Sequence, residues 1–175
     1  MPFDLHPMKA GERDRAYVLV HLMKPEVDLT RWRTFLQTIE GENRKGAERG
    51  ITVASVSDEC LVGLYTWAVQ PSLDHQNVFN VDNFIATGAL DPEPLFDAMI
   101  RKMDAQAHEL ECGGVHVSIP SIYTGTKQQR LLQDCFLSNG FVVSDQKLRR
   151  NCNTVSSVPR SCGGASGTKA PDALH

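Results

Sequence analysis

Residues 78–86 read Val-Phe-Asn-Val-Asp-Asn-Phe-Ile-Ala, an apolar run into which Asn80, Asp82 and Asn83 are set. An apolar run of this length is typical of a buried strand. The polar side chains within it indicate that one side of this strand faces a cleft. The longest helical pattern of the chain follows, so the sequence predicts a central strand that leads into a long helix.

The helix after this strand has clear signals at both ends. Asp91 is a suitable N-cap and Pro92 a suitable first helical residue, and Gly113-Gly114 predicts a left-handed exit. Its apolar face consists of Leu95, Phe96, Met99, Ile100, Met103, Ala107 and Leu110. A short apolar strand over residues 115–119 comes next. Strand, helix and strand in this order predict two parallel neighbours joined by a right-handed crossover.

The N-terminal half adds three strands and one helix to this pattern. Residues 16–23 form a β-rich apolar run before Pro25, and we expect a strand there. Apolar residues recur at the helical period over residues 28–45, which predicts an amphipathic helix; they are Trp32, Phe35, Leu36 and Ile39. Residues 51–57 and 61–69 then predict two strands joined by a short hairpin connection.

The C-terminal part of the pattern contributes a last helix and a last strand. Residues 126–138 predict a helix with Gly140 past its end, and residues 141–149 predict a closing strand. The inward side chains of this helix are Leu131, Leu132, Cys135 and Phe136. The chain is therefore expected to be an α/β (α+β) protein. Its sheet would be mixed and mostly antiparallel, with one parallel β-α-β pair and helices on both faces.

Composition and charge exclude several classes of function. The chain has 175 residues, 41% hydrophobic and 22% charged, which indicates one soluble domain of ordinary size. A net charge of -3 gives no attraction to nucleic acid or to an anionic membrane. No run resembles a spanning helix or a signal peptide, so we expect a cytoplasmic protein. Five cysteines without a C-x-x-C pair disfavour a disulfide framework and a zinc site, and no metal is expected.

The last 25 residues differ from the rest of the chain. Residues 151–175 hold four Ser, three Gly and two Pro, and they hold no aromatic side chain. Such a composition supplies too little apolar surface to form a core. We therefore expect a globular domain over residues 1–150 and a low-complexity, disordered tail over residues 151–175.

Three features together resemble the GNAT superfamily, the Gcn5-related N-acetyltransferases, over residues 16–149. The first is the polar-studded strand that leads into the long helix. The second is the Gly113-Gly114 exit into Val115-His-Val-Ser-Ile119. The third is residues 131–141, Leu-Leu-Gln-Asp-Cys-Phe-Leu-Ser-Asn-Gly-Phe, which are similar to the late helix of the family and its closing Gly-Phe pair.

The resemblance implies acetyl-CoA or another acyl-CoA as co-substrate, bound where the two central parallel strands splay apart. The residues it places at the cofactor are Phe84, Ile85, Ala86, Thr87, Gly88, Ala89 and Phe136. In the family, backbone N–H groups of a Q/R-x-x-G-x-G/A loop hold the pyrophosphate. Here the loop is degenerate, because its one glycine is Gly88, Pro92 and Pro94 have no N–H, and Asp91 and Glu93 add negative charge. The phosphates would then shift to the amides of residues 87–89.

Acyl transfer to an amine needs a base for the amine proton and an acid for the leaving thiolate. Asp82 is the candidate base, because burial in a strand would raise its pKa; the alternative is a purely structural carboxylate. The family places a tyrosine acid on the late helix, where this chain has Phe136, which cannot donate a proton. Tyr123, just after the predicted strand over residues 115–119, is therefore the candidate acid.

The resemblance thus implies an N-acyltransferase that moves an acetyl or acyl group from acyl-CoA to an amine of a small molecule or a protein. The alternative is a GNAT-shaped domain that has lost catalysis and serves as a binding or regulatory module. Similar domains often pair through their sheet edges, which makes a homodimer possible. No nucleic acid and no membrane is expected as a partner.

Overall fold

The computed structural model describes residues 3–57, 60–87, 92–119 and 125–143. The elements it describes lie in one compact unit, Met1–Val142. The strands are β1 (Asp4–Pro7), β2 (Arg49–Ser57), β3 (Cys60–Pro71), β4 (Asn77–Ala86) and β5 (Gly114–Val117). The helices are α1 (Arg13–Met23), α2 (Leu29–Asn43), α3 (Glu93–Glu109) and α4 (Lys127–Ser138), and a 3-10 turn over Ala10–Glu12 precedes α1.

The five strands form one sheet in the order β1-β2-β3-β4-β5. The first four strands are antiparallel to their neighbours, and β5 pairs parallel with β4. A parallel pair needs a long crossover, and α3 supplies it. The predicted mixed, mostly antiparallel sheet with one parallel β-α-β pair is thereby confirmed.

Helices cover both faces of this sheet, as predicted, and a separate core lies on each face. On one face α3 and α4 pack on side chains that include Tyr65, Phe79 and Phe84. On the other face α1 and α2 pack on Val53 and Leu64, among others. Successive residues of a strand point to opposite faces, so the central strands supply both cores.

The prediction of a strand over residues 16–23 was wrong, because these residues belong to helix α1. Ala16, Leu19 and Val20 are buried at a helical spacing, whereas Val18 is 63% and Leu22 is 66% exposed. An apolar run with no polar alternation fits either a helix or a buried strand, and here packing decided for the helix. The N-terminal strand is β1 instead, a short edge strand without an apolar run.

The ends of α3 also differ from prediction. Pro92 occupies the N-cap position rather than the first helical position, and Asp91 lies outside the described residues. At the C-terminal end the left-handed residue is Glu111, with a φ of 52°. The two glycines have another role: a Cβ at Gly113 would lie 3.2 Å from His75 Cβ, and one at Gly114 would lie 3.1 Å from His75 Cδ2. They make room for the loop between β3 and β4.

The predictions of helices α2 and α4 are confirmed. Asp28 caps α2 by accepting from the N–H of Arg31 at 2.7 Å, and Thr126 caps α4 by accepting from the N–H of Gln129 at 3.1 Å. Gly140 follows α4 with a φ of 84°, as expected of a helix exit. Of the predicted closing strand, residues 141–143 are not in a strand, and residues 144–149 lie outside the described residues.

A buried polar group fixes α3 to the centre of the sheet. Gln106 on α3 accepts through Oε1 from the hydroxyl of Tyr65 and, at 3.1 Å, from the hydroxyl of Thr52. All three side chains are buried. Burial raises the pKa of Tyr65, so its hydroxyl keeps its proton. These hydrogen bonds fix the position of α3 relative to the sheet.

Candidate functional site

A β-bulge interrupts strand β4 at Asn83. Leu64 pairs with Ile85 and Thr66 pairs with Asp82, so Tyr65 alone faces two residues of β4. Asn83 has a φ of 52°, a left-handed conformation that asparagine tolerates better than most residues. The extra residue also shifts the alternation of side chains. As a result Phe79 and Val81 before the bulge, and Phe84 and Ala86 after it, all face the core under α3 and α4.

Strand β5 leaves β4 next to this bulge. The last paired residues are Val81 and Val117, followed by one hydrogen bond from the N–H of Ser118 to the carbonyl of Val81 at 2.9 Å. Strand β4 continues to Ala86 and stays paired with β3. Within the residues that the structure describes, no strand pairs with the outer edge of β4 beyond Val81. The parallel strands therefore separate from Asp82 onward.

The aromatic side chains behind this separation are tightly packed. Phe84 is fully buried, with its ring 6.1 Å from that of Phe96 on α3 and 5.7 Å from that of Phe136 on α4, measured between centroids. Phe136 also contacts Phe141. These side chains fill the space between the sheet and the two helices.

The opposite face of the bulge borders a groove of about 150 Å³ between α2 and the strands β2 to β4. Its apolar wall consists of Phe35 and Ile39, and its polar side includes Asp82 and Asn83. Hydrophobic walls with a few polar groups are usual for small-molecule sites. The groove and the strand gap thus meet at the bulge from two sides.

Hydrogen bonds hold the bulge in place. The side chain of Asn83 donates to the hydroxyl of Thr66 at 3.0 Å, and that hydroxyl donates to the carbonyl of Asp82 at 3.0 Å. The ammonium of Lys24, at the end of α1, donates to the Asn83 side-chain oxygen. Asn83 is therefore tied both to β3 and to α1.

The burial expected of Asp82 is not found, because its side chain is exposed at the rim of the groove. Alternation along β4 places Asp82 on the face opposite Phe79 and Val81. The apolar run suggested burial on both faces, but Asp82 faces the groove where α2 leaves the sheet uncovered. Its position at the bulge remains that of a candidate base. Tyr123, the candidate acid, lies outside the described residues.

The residues predicted to contact the cofactor fall into three groups. Phe84, Ala86 and Phe136 belong to one core and surround the strand gap. Ile85 points to the opposite core, under α1 and α2, so only its backbone can face a ligand in the gap. Gly88 and Ala89 lie outside the described residues, and Thr87 is considered next.

Thr87 does not offer its amide to a phosphate. Its N–H donates to the carbonyl of Val62 at 2.8 Å, and its hydroxyl donates to the same carbonyl at 3.4 Å. The strand pairing of β3 and β4 thus extends through Thr87. An amide already paired in a sheet cannot also hold an anion, so the expected shift of the phosphates onto this residue is not supported.

A second cleft, of about 290 Å³, lies between the start of α3 and the end of α4. Its walls carry the carboxylates of Glu93 and Asp97 and the polar side chains of Ser138 and Asn139. The side-chain nitrogen of Asn139 donates to Asp97 at 3.3 Å and to the Cys135 carbonyl at 2.8 Å. The hydroxyl of Ser138 donates to that same carbonyl at 3.0 Å. The cleft is therefore rich in acceptors, and its donors are already used.

Sequence reasoning missed several residues of the site. Lys24 was assigned no role because the run before it was read as a strand, and Thr66 gave no signal in an apolar strand. The one available signal was the cluster of Asn80, Asp82 and Asn83, since asparagine in a strand is uncommon and tolerates a left-handed backbone. Among the described residues no group of three His, Cys, Asp or Glu side chains is placed to hold a metal ion. No described helix is long and apolar enough to cross a membrane.

Comparison with solved structures connects this geometry to known proteins, although no protein family and no curated protein matches the sequence. An aminoglycoside N-acetyltransferase in complex with CoA superposes with a TM-score of 0.66 at 11% identity, over 87% of this chain and 96% of that one. The chain has the GNAT fold. Glucosamine-6-phosphate N-acetyltransferase from Arabidopsis thaliana matches this GNAT domain with a TM-score of 0.62 at 7% identity, over 87% and 100% of the two chains.

A third similar structure has a different description. A transcriptional regulator from Bacillus halodurans matches this GNAT domain with a TM-score of 0.64 at 15% identity, over 86% of this chain and 99% of that one. Identities this low establish a shared fold. They leave the activity to be argued from the residues of the site.

Proposed function

We propose that this GNAT-fold chain is an N-acyltransferase that moves an acetyl or other acyl group from acyl-CoA to an amine of a small molecule or a protein. The observation that carries the proposal is the separation of β4 from β5 directly beside the bulge at Asn83. It gives an open strand edge on one side and the groove that holds Asp82 on the other. Two of the similar structures are N-acetyltransferases, one of them in complex with CoA.

The reaction needs three groups from the chain: donors that stabilise the carbonyl oxygen, a base for the amine proton and an acid for the thiolate. The amine nitrogen forms a bond to the thioester carbonyl carbon, the C–S bond breaks, the amine loses a proton and the thiolate gains one. Backbone N–H groups at a bulge are suited to stabilise the carbonyl oxygen, because they are fixed before reaction. Asp82 is positioned to receive the amine proton, directly or through a water. Tyr123 is the candidate donor to the thiolate.

The groove beside Asp82 suits an amine acceptor. An exposed carboxylate attracts a protonated amine, and the Phe35 and Ile39 side chains offer an apolar surface to the body that carries it. Arg49 also borders the groove, but its guanidinium is paired with Glu42. The charges beside the bulge are then the carboxylate of Asp82 and the ammonium of Lys24, which is hydrogen-bonded to Asn83.

A screen of amines tests this function. The full chain is incubated with acetyl-CoA and primary amines, including aminoglycosides and glucosamine-6-phosphate, and released thiol is measured. We expect thiol release that depends on at least one amine and shows saturation. No amine-dependent release from any donor and acceptor pair, with a folded protein, would contradict the proposal.

A second candidate is a GNAT-fold module that binds or regulates without catalysis. The acceptor-rich cleft at the start of α3 favours it, because that is where a conventional member would hold the pyrophosphate. The similar structure described as a transcriptional regulator is a further reason to keep it. Such a module would show no saturable binding of acetyl-CoA and no thiol release.

A further inference from the structure

We propose, on the basis of the function above, that the acyl donor is held by its pantetheine arm alone and that the chain makes no favourable contact with the nucleotide end of CoA. The donor class would then be acyl-pantetheine thioesters in general. Acetyl-CoA would be one member of this class, with no advantage over shorter ones. The structure supports this in three steps: the missing donors, the charge of the cleft, and the open edge of β4.

Backbone donors are missing on both sides of residues 88–91, which themselves lie outside the described residues. On the strand side, the N–H of Thr87 is paired with Val62. On the helix side, Pro92 and Pro94 have no N–H. A helix start binds anions through the amides of its N-cap and first three residues. Two of these four amides are therefore absent in α3.

Among the described residues, the side chains that line the cleft do not replace the lost donors. In the cleft between α3 and α4, the Asn139 side chain and the Ser138 hydroxyl both donate to acceptors of the chain itself. Asp97 is paired with Arg101, one helical turn further along α3. The cation nearest to the cleft on α3 is thus already engaged by a carboxylate.

The charge of this region opposes the nucleotide end. Residues 77–100 contain four acidic side chains, Asp82, Asp91, Glu93 and Asp97, and no Lys or Arg. The nucleotide end of CoA carries a diphosphate and a 3′-phosphate. Carboxylates beside such groups repel them and can only accept hydrogen bonds. CoA would therefore gain nothing from placing its phosphates in this cleft.

The pantetheine arm, by contrast, fits what the fold offers. It is uncharged and extended, and its two amides can pair with a strand edge as an added strand does. The edge of β4 beyond Val81 is open within the described residues, and the core behind it is apolar and contains the packed rings of Phe84 and Phe136. Recognition through this edge does not need the phosphates.

Titration calorimetry of the full chain with three probes tests the inference: acetyl-CoA, S-acetylpantetheine and adenosine 3′,5′-bisphosphate. We expect the first two to bind with dissociation constants within about threefold of each other, and the third not to bind. Conventional recognition adds several charge-assisted hydrogen bonds, so a preference of about 100-fold or more for acetyl-CoA would overturn the inference. Binding of the nucleotide alone would also overturn it.

The same titration separates failure of this inference from failure of the proposed function. Strong preference for acetyl-CoA would keep the acyltransferase and remove only the pantetheine-only donor class. Absence of binding by both thioesters at millimolar concentration would remove both.

A variant pair adds a test that a general loss of folding cannot mimic. Glu93→Gln removes a carboxylate from the cleft, and Glu109→Gln removes one from the far end of the same helix. We expect Glu93→Gln to lower the dissociation constant of acetyl-CoA by about two- to fivefold, as for one screened charge, and to leave that of S-acetylpantetheine unchanged. Glu109→Gln should change neither. An equal effect of Glu93→Gln on both thioesters, or no effect on acetyl-CoA, would contradict the repulsion.

Discussion

Asn83 is the residue on which the shape of the site depends. Its left-handed backbone makes room for one extra residue in β4, and its side chain holds Thr66 on one side and Lys24 on the other. Asp82 precedes it and faces the groove. Replacements of Asn83 and Asp82 therefore test the shape and the chemistry of the site.

Replacement of Asn83 separates the backbone from the side-chain contribution. Asn83→Gly keeps the tolerance for positive φ and loses the hydrogen bonds, whereas Asn83→Val loses both. We expect Asn83→Val to be less stable than Asn83→Gly by about 1–2 kcal/mol, the penalty of a left-handed conformation for a residue with a Cβ. Urea unfolding measures the difference. Equal stability of the two variants would show that the bulge does not need this backbone conformation.

Replacement of Asp82 tests its role as the base. With an amine found in the screen, Asp82→Asn should lower kcat by about 10²-fold, because a positioned base contributes at least this much. The matched control is Asp74→Asn, in the exposed loop between β3 and β4. Unchanged unfolding midpoints would show that the loss is not one of folding. Full activity of Asp82→Asn would assign the proton to another group.

At the scale of elements, the sheet is joined to α3 by the buried group of Gln106, Thr52 and Tyr65. The two hydroxyls share one acceptor, so the three side chains are not equivalent. Loss of the acceptor leaves two buried donors unpaired, whereas loss of one hydroxyl leaves none.

The two replacements Gln106→Leu and Tyr65→Phe should therefore differ. We expect Gln106→Leu to reduce the free energy of unfolding by about 2–4 kcal/mol and Tyr65→Phe by about 1 kcal/mol. Gln128→Leu, at an exposed position of α4, is the control for the loss of the amide itself. Denaturant unfolding gives all three values. If Gln106→Leu is no worse than Tyr65→Phe, the shared acceptor is not what joins α3 to the sheet.

The junction of β1 and the turn before α1 carries a pH-dependent contact. Glu12 is buried, and burial alone would raise its pKa; the N–H of Lys9 at 2.7 Å and the His6 ring at 2.9 Å outweigh this and leave the pKa below its usual 4.5. A lowered pKa in the folded state stabilises the protein above the unfolded value. That stability is lost as the pH falls through the folded value.

Glu12→Gln removes this titration and keeps the shape. The unfolding free energy of the natural chain should fall more steeply than that of Glu12→Gln as the pH is lowered from about 6 to about 3. Urea unfolding across this range gives both curves. Parallel curves would mean that Glu12 does not titrate differently in the folded protein.

The elements also show what the sequence could and could not predict. Helices α2 and α4 carry caps and a clear helical period, and both were predicted. Helix α1 was not predicted, because the apolar run over residues 16–23 fits either a helix or a buried strand. Only the packing of these side chains distinguishes the two. At the site, the separation of the central strands was expected from the resemblance. The exposure of Asp82 was not, because an apolar run does not show which part of a sheet face the helices leave uncovered.

At the scale of the whole molecule, the chain combines a conserved architecture with a changed donor region. The sheet, the two cores and the position of the strand gap follow the GNAT fold. The start of α3 differs, because Pro92 and Pro94 offer no N–H to a diphosphate. The proposed function depends on the gap, and the pantetheine inference depends on the start of α3.

A crystal structure of the chain grown with S-acetylpantetheine or acetyl-CoA tests the central claim most directly. We predict density for the pantetheine arm along β4 beyond Val81, with the thioester oxygen about 2.7–3.2 Å from a backbone N–H at the bulge. The nucleotide of CoA should show no ordered contact with α3. Density for the arm elsewhere, or β5 paired with β4 through Ala86 so that no gap exists, would contradict the claim.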